Sequence, residues 1–176
     1  MTTVYGVAFK RLYSNTKFYK LTCEDENHNG FQFQTGLNID TVPFNPTGEC
    51  SKGGLYFTEQ NKVGKWMFYK DVKYIRPVII LDDSLIYIEE DKFKADKFYL
   101  GEKKLIEDFE LWNDETFCKL AVQENGYALK YVKEPTEEIK KLAEQQIDTF
   151  WYDIHATNNY ALPFAIRKHL YKKYLD

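Results

Sequence analysis

Cysteine is nearly absent from this chain: Cys23, Cys50 and Cys118 are the only three in 176 residues. They are odd in number and far apart, with neither a CxxC pair nor a zinc-ligand spacing. A disulfide framework is excluded, and the three read as free thiols of a reducing compartment. Long apolar runs are missing too. No stretch approaches the ~20 residues of a membrane span. The start, Met1-Thr2-Thr3-Val4-Tyr5-Gly6, lacks the charged region and apolar run of a signal peptide. No glycine-rich phosphate loop and no GxSxG is present; Gly53-Gly54 is a turn signal. His28, His155 and His169 have no partner spacing for a metal or a triad. The expectation is no metal, no cofactor and no membrane. A net charge of −3 adds no global attraction to nucleic acid or anionic lipid.

What is present is the material of a core. Hydrophobic residues make up 44% and charged residues 29%, which suits a folded chain. The length fits one large domain or two small ones packed together. Aromatics reach 17%, with 14 Tyr and 13 Phe, and favour strands and thick aromatic packing. Base stacking or sugar binding would be the sharper use of them. Their alternating or helical patterns favour the core. Lys, Asn, Ile, Tyr and Phe dominate while Arg is scarce, a composition of AT-rich codons.

Residues 3–10 and 17–23 read as strands joined through Ser14-Asn15-Thr16. Glu24 to Gly30 reads as a polar loop with His28 exposed in it. Phe31-Gln32-Phe33-Gln34 alternates as a strand does. Gly36 to Ser51, with Pro43 and Pro46, reads as a loop. Leu55-Tyr56-Phe57-Thr58 forms a strand, and Thr58 is placed to cap a helix over 59–69. Pro77–Leu81 and Leu85–Ile88, around Asp82-Asp83-Ser84, read as a hairpin. Lys92–Tyr99 interleaves Lys with aromatics.

From about residue 113 the period changes from two to 3.6. Asn113 or Asp114 can cap a helix with Phe117, Leu120 and Ala121 on its apolar face. Pro135-Thr136 opens a longer helix with a stripe of Ile139, Leu142, Ala143, Ile147, Phe150, Trp151 and Ile154. Pro163 opens a last one. A degenerate repeat runs through this half. Glu115, Lys119, Leu120 and Ala121 recur as Glu137, Lys141, Leu142 and Ala143. Asn125-Gly126-Tyr127-Ala128-Leu129 recurs as Asn158-Asn159-Tyr160-Ala161-Leu162.

Phe117-Cys118-Lys119-Leu120-Ala121-Val122-Gln123-Glu124-Asn125-Gly126-Tyr127-Ala128-Leu129-Lys130-Tyr131-Val132 resembles a short helical repeat of unknown function, abundant in giant viruses of the mimivirus type. Gly53-Gly54-Leu55-Tyr56-Phe57-Thr58, with Asp91–Phe98, is similar to uncharacterised proteins of the same viruses. The two matches cover most of residues 30–145. The resemblance implies a source and no reaction.

Three sets of residues are candidates for function. Tyr56 and Thr58 on a strand, a short helix after them and Glu90 after a hairpin are similar in order to an ADP-ribosyltransferase, whose carboxylate orients the nicotinamide ribose of NAD. Arg11 is the one candidate on the first strand for gripping that cofactor. Packing of Tyr56 and Phe57 in a sheet is the commoner use of such a segment. Lys92, Lys94 and Lys97 could hold phosphates beside stacking aromatics. Glu89, Glu90, Asp91 and Asp96 offset that charge, and an edge strand protected by lysines explains the same pattern. Arg167, Lys168, Lys172 and Lys173 make a basic terminal helix for RNA or an acidic partner, or simply a solvated face.

The sequence thus predicts an α+β fold: residues 1–110 as a mostly antiparallel sheet with one helix, and residues 111–176 as helices, together one compact unit. The favoured function is a non-catalytic macromolecular-interaction protein of a giant DNA virus, in the host cytoplasm or the virion, with a viral or host protein partner. A divergent ADP-ribosyltransferase-like, NAD-binding enzyme and an RNA-binding module are the alternatives.

Overall fold

The computed structural model describes residues 2–48, 50–69 and 71–158, the last eleven by their backbone. The fold is α+β, with a large antiparallel sheet and several helices. The chain falls into two compact units, Met1–Phe109 and Glu110–Asp176.

Unit 1 begins with β1 (Thr2–Tyr5), α1 (Gly6–Leu12), β2 (Phe18–Thr22), β3 (Asn27–His28), β4 (Phe31–Gln32) and β5 (Gly36–Ile39). It continues through β6 (Leu55–Glu59), a 3-10 turn, α2 (Val63–Trp66), β7 (Tyr74–Ile79), β8 (Leu85–Ile88), β9 (Phe93–Ala95), β10 (Lys97–Leu100) and β11 (Lys104–Leu105). Nine strands join in the order β1-β8-β9-β6-β2-β7-β10-β5, with β11 also on β7; β3 and β4 pair separately.

The main apolar cluster lies on one face of this sheet. Leu55, Phe57, Phe93, Ala95, Phe98, Val78 and Phe18 meet Phe9 of α1 there. The Phe9 ring stands 5.0 Å from those of Phe18 and Phe93 and 6.0 Å from that of Phe57. The contacts with Phe93 and Phe57 are edge-to-face, a packing that adds about 1 kcal/mol per pair beyond burial.

Four expectations are overturned. The first strand stops at Tyr5, because Gly6 and Val7 donate to the carbonyls of Ser84 and Asp82 and the chain turns into α1. Gly6 is required at this junction: a Cβ there would lie 1.8 Å from the Leu81 oxygen. Only Gly6 and Phe9 of α1 are buried, one turn apart, so a single aromatic anchors the helix.

Thr58 does not cap a helix. It is buried within β6 and its hydroxyl donates to the Asp91 carbonyl, 3.3 Å away. The expected helix shrinks to the turn over 60–62 and the single turn of α2.

Residues 77–81 and 85–88 do not pair with each other. β8 pairs with β1 and β9, and β7 with β2, β10 and β11. Ser84 Oγ donates to the Lys97 carbonyl and Asp96 accepts from Leu85 N, which ties this turn to β10.

Segment 92–99 is not an edge. β9 lies between β8 and β6, and β10 between β7 and β5. The strands at the two ends of the path are β1 and β5, and β5 lies within the segment expected to be a loop.

One end of the core face carries a buried ion pair. Arg76 Nε donates to Glu26 at 2.7 Å, and their side chains are only 3% and 9% exposed. Arg76 Nη1 also reaches Thr35 Oγ1 and the Gly101 carbonyl, and Lys103 donates to Glu26 at 2.9 Å. Every arm of the network has a partner, which offsets its desolvation.

Unit 2 holds α3 (Glu115–Glu124), a 3-10 segment over 126–131 and α4 (Glu137–Asn158). Asp114 caps α3 by accepting from Phe117 N at 2.8 Å, and Thr136 Oγ1 accepts from Ile139 N at the start of α4. Trp112 stacks on Tyr131, and Phe117, Ala121, Val122, Ile139, Ala143 and Ile147 complete the core. Three of the four repeat pairs carry matching burial: Glu115 and Glu137 are exposed, Leu120 and Leu142 half-buried, Ala121 and Ala143 buried, while Lys119 is half-buried and Lys141 exposed. Gly126 donates to Gln146 Oε1, and a Cβ on it would meet the Ala143 oxygen at 2.4 Å. Burial, reinforced by Asp114 and Glu115, pushes the Cys118 thiol up to about 11, so it is inert at neutral pH. All three cysteines are free thiols. The second half of the longer repeat, from Asn159, and the expected last helix lie outside the described residues.

Burial raises the Glu26 carboxyl, but Lys103 and Arg76 outweigh it and hold it below its ordinary value. A depressed folded value gives stability that is full above the unfolded pKa and is lost as pH falls through the folded one. Glu26→Gln should therefore cost about 3 kcal/mol in urea melts at pH 7. The deficit should shrink in melts at pH 3.

Candidate functional site

Alternation along β6 and β9 creates a second, polar face. Leu55 and Phe57 point to the core while Tyr56 and Thr58 point away; Phe93 and Ala95 flank Lys94 in the same manner. The register sets Lys94 between Tyr56 and Tyr87. Lys94 is 0% exposed. Its ammonium donates to the carbonyls of Asn45 at 2.9 Å and Thr47 at 3.1 Å, and to Ser51 Oγ at 2.9 Å. Three acceptors satisfy its three donors. Burial pulls Lys94 below its ordinary value, against the opposing charges of Glu89 and Asp40.

The side chain has room because residue 54 is glycine. A Cβ there would lie 2.6 Å from Lys94 Cγ, and φ is +134°. Gly53, at φ +87°, brings its own backbone against Pro43, and its carbonyl accepts from Asn45 N at 2.8 Å. Asp40 accepts from Gly54 N. The segment around 43–51 is thus hung on one buried cation and one glycine pair.

Lys92 stands beside this cradle. Its Nζ is 5.1 Å from the Tyr56 ring, 5.0 Å from the Trp66 ring, 3.3 Å from Cys50 Sγ and 3.6 Å from Glu89 Oε2. Burial would lower Lys92, but the Cys50 sulfur and Glu89 outweigh it and raise it. Burial likewise pushes the Glu89 carboxyl up, against Lys92 and Lys94. Glu89 Oε1 is buried and makes no hydrogen bond among the described residues. The Tyr56 hydroxyl lies beside Ser51 without a well-formed hydrogen bond, and burial with Glu89 raises its pKa.

A pocket of about 80 Å³ opens next to Lys92. Tyr19, Leu21, Tyr56, Trp66, Tyr69 and Val72 form apolar walls, His28 and Lys92 line it as well, and the Lys20 ammonium lies instead over the core ring of Phe33, 4.5 Å from its centre. No carboxylate lines it among the described residues. A second pocket of about 110 Å³ adjoins it and shares Lys20, His28 and Tyr56. His28 is half-buried in β3, with Nδ1 3.4 Å from Lys20 Nζ, and is no exposed loop residue.

The residues singled out in the sequence are partly gathered here. Tyr56 and Thr58 line the first pocket; Glu90 is exposed and does not, and Glu89 is the carboxylate acting on Tyr56. Arg11 is exposed on α1. Lys92, Lys94 and Lys97 form no solvent-facing basic stripe: Lys94 is buried, Lys92 is largely buried, and Lys97 pairs with Asp83 at 2.7 Å. Arg167, Lys168, His169, Lys172 and Lys173 lie outside the described residues, as does the side chain of His155. Among the described residues no helix is long and apolar enough to cross a membrane, and no three His, Cys, Asp or Glu side chains gather where a metal ion could sit.

A feature not foreseen lies at the other end of the sheet. Register puts Leu37, Tyr99 and Ile79 side by side on β5, β10 and β7, exposed by 45%, 42% and 56%; Ile39, two residues along β5, is exposed by 53%. Asn38 between them points inward instead. Its amide donates to the carbonyls of Gln34 and Gly36, and its oxygen accepts from Gln34 N.

The chain is 32% identical over 144 residues to "Putative ankyrin repeat protein R868" of Acanthamoeba polyphaga mimivirus, spanning 76% of this chain and 70% of that protein. The chain belongs to this mimivirus protein family. It is also 30% identical over 114 residues to "Uncharacterized protein R869" of that virus, spanning 61% of this chain and 81% of the relative. A third mimivirus relative, "Putative ankyrin repeat protein R229", is 31% identical over 111 residues, 54% of this chain and 36% of that protein. No family model matches the chain, and no solved structure matches it.

Gly54→Ala should displace Lys94 and cost about 3 kcal/mol in urea unfolding, because the clash adds to the strain at positive φ. Gly30→Ala, at φ +89° with open space around it, should cost only about 1 kcal/mol.

Proposed function

We propose that this mimivirus-family chain is a non-catalytic macromolecular-interaction module, working in the host cytoplasm or the virion, and that it binds a viral or host protein. The exposed apolar rung of Leu37, Tyr99 and Ile79, with Ile39 beside it, carries this reading. Contiguous apolar groups on a sheet face mark association surfaces. β5 is also the last strand of the sheet path, so its open edge suits strand addition by a partner segment. Two relatives whose names include ankyrin repeats point the same way. The matching burial at three of the four repeat pairs in unit 2 supports a helical-repeat origin for that part.

The test is capture of the tagged full chain from infected host cells, with nuclease, beside the Ile79→Lys, Tyr99→Lys double variant. Both positions are exposed, so the variant should fold. A protein partner retained by the parent and lost from the variant is the expected result. Recovery only through RNA, or equal capture by both chains, would overturn the proposal.

A further inference from the structure

The aromatic pocket beside Lys92 lies away from the apolar rung, and its chemistry is different. We propose that it binds a carboxylate borne on a compact apolar group. This site is independent of the interaction reading above.

Size sets the first limit. About 80 Å³ is well below the ~300 Å³ at which pockets begin to take drug-sized ligands. A dinucleotide is too large, while a leucine-sized group fits between Tyr19, Tyr56, Trp66 and Tyr69.

Charge sets the second. His28 and Lys92 line the space and no carboxylate does among the described residues. The nearby acid, Glu89, lies outside the lining and pairs with the Lys92 ammonium at 3.6 Å, so an incoming carboxylate would share that cation from the pocket side. An incoming carboxylate would gain a charge-assisted hydrogen bond in a poorly solvated setting, where such bonds exceed neutral ones about twofold.

Construction is the third. Trp66 Nε1 donates to the Asp91 carbonyl at 3.1 Å and Thr58 Oγ1 to the same oxygen, so the wall from α2 is fixed to the turn before β9 that presents Lys92. The Lys94 cradle fixes Ser51, next to Cys50, whose sulfur touches Lys92. Rigid walls around a few polar groups reduce the ordering cost of binding.

Such a carboxylate can be a free organic acid or part of a polypeptide, and two probes separate these sources. 4-Methylpentanoate represents the first, and acetyl-Leu-Asp-amide the second. Each is titrated into the ¹⁵N-labelled full chain, with 4-methylpentanamide and 3-methylbutylamine as the uncharged and cationic controls. Amide shifts confined to 19–23, 27–28, 56–58, 66–69 and 92, seen with either acid and absent with both controls, are expected. Response to the free acid alone assigns a metabolite-like ligand; response to the dipeptide alone assigns a peptide. Lys92→Gln should weaken the interaction about tenfold or more, as the loss of one charge-assisted bond does. Tyr69→Ser, at an exposed aromatic, should weaken both acids without unfolding the chain. Equal binding of the amide, equal binding by Lys92→Gln, or no shift with either acid would overturn the proposal.

Discussion

The Lys94 ammonium is the group on which the polar side of unit 1 depends. Removing such an ion from water costs several kcal/mol even after relaxation. Here that cost is offset by two backbone carbonyls and a serine hydroxyl, all drawn from one irregular segment. No described residue of 43–51 is fully buried, so the cation takes the place of a core beneath the segment. Gly54 follows from Lys94, because no side chain could share that space. Tyr56 and Lys92 then stand at fixed positions beside a small aromatic pocket.

The core face is held by ordinary means. Phe9 meets three other phenylalanines and closes α1 over the sheet. Arg76 and Glu26 seal one end, with each guanidinium nitrogen and both carboxylate oxygens engaged. The two faces therefore differ in kind. One is an aromatic core sealed by an ion network; the other buries Tyr19 and Ile75, with Phe109 against Tyr19, and beside them hangs loops around a cation. Of the exposed apolar residues, Leu37, Tyr99 and Ile79 are aligned by the register itself.

Much of this was legible in the sequence, for physical reasons that also explain the misses. β2, β6, β7 and β8 alternate or run apolar, and α3 and α4 carry caps and a 3.6 period, so they could be read directly. β5 was hidden because its pattern is inverted. Leu37 and Ile39 face outward while Asn38 is buried and satisfied by local carbonyls, so alternation gave no sign of which face was inside. α1 was hidden because one residue, Phe9, anchors it and a tertiary contact to Ser84 and Asp82 starts it. Lysine and aromatic alternation in 92–99 signalled a strand correctly. It could not show that the strands are interior, since a buried lysine needs acceptors that come from 45–51, far away in the chain. Tyr56 and Thr58 share a pocket because a strand puts i and i+2 on one face. Glu90 falls outside it because the chain leaves β8 at Ile88.

Two distinct surfaces thus coexist in a mimivirus-family chain: an open apolar sheet end, and a walled basic pocket whose geometry rests on one buried cation. Amide hydrogen exchange of Lys94→Met against the parent chain tests that dependence most directly. Exchange should quicken across residues 43–54, while β2 and β7, held by their own ladder and by Arg76, stay protected. Unchanged exchange over 43–54 in the variant would show that the segment holds itself without the cation, and would contradict the account.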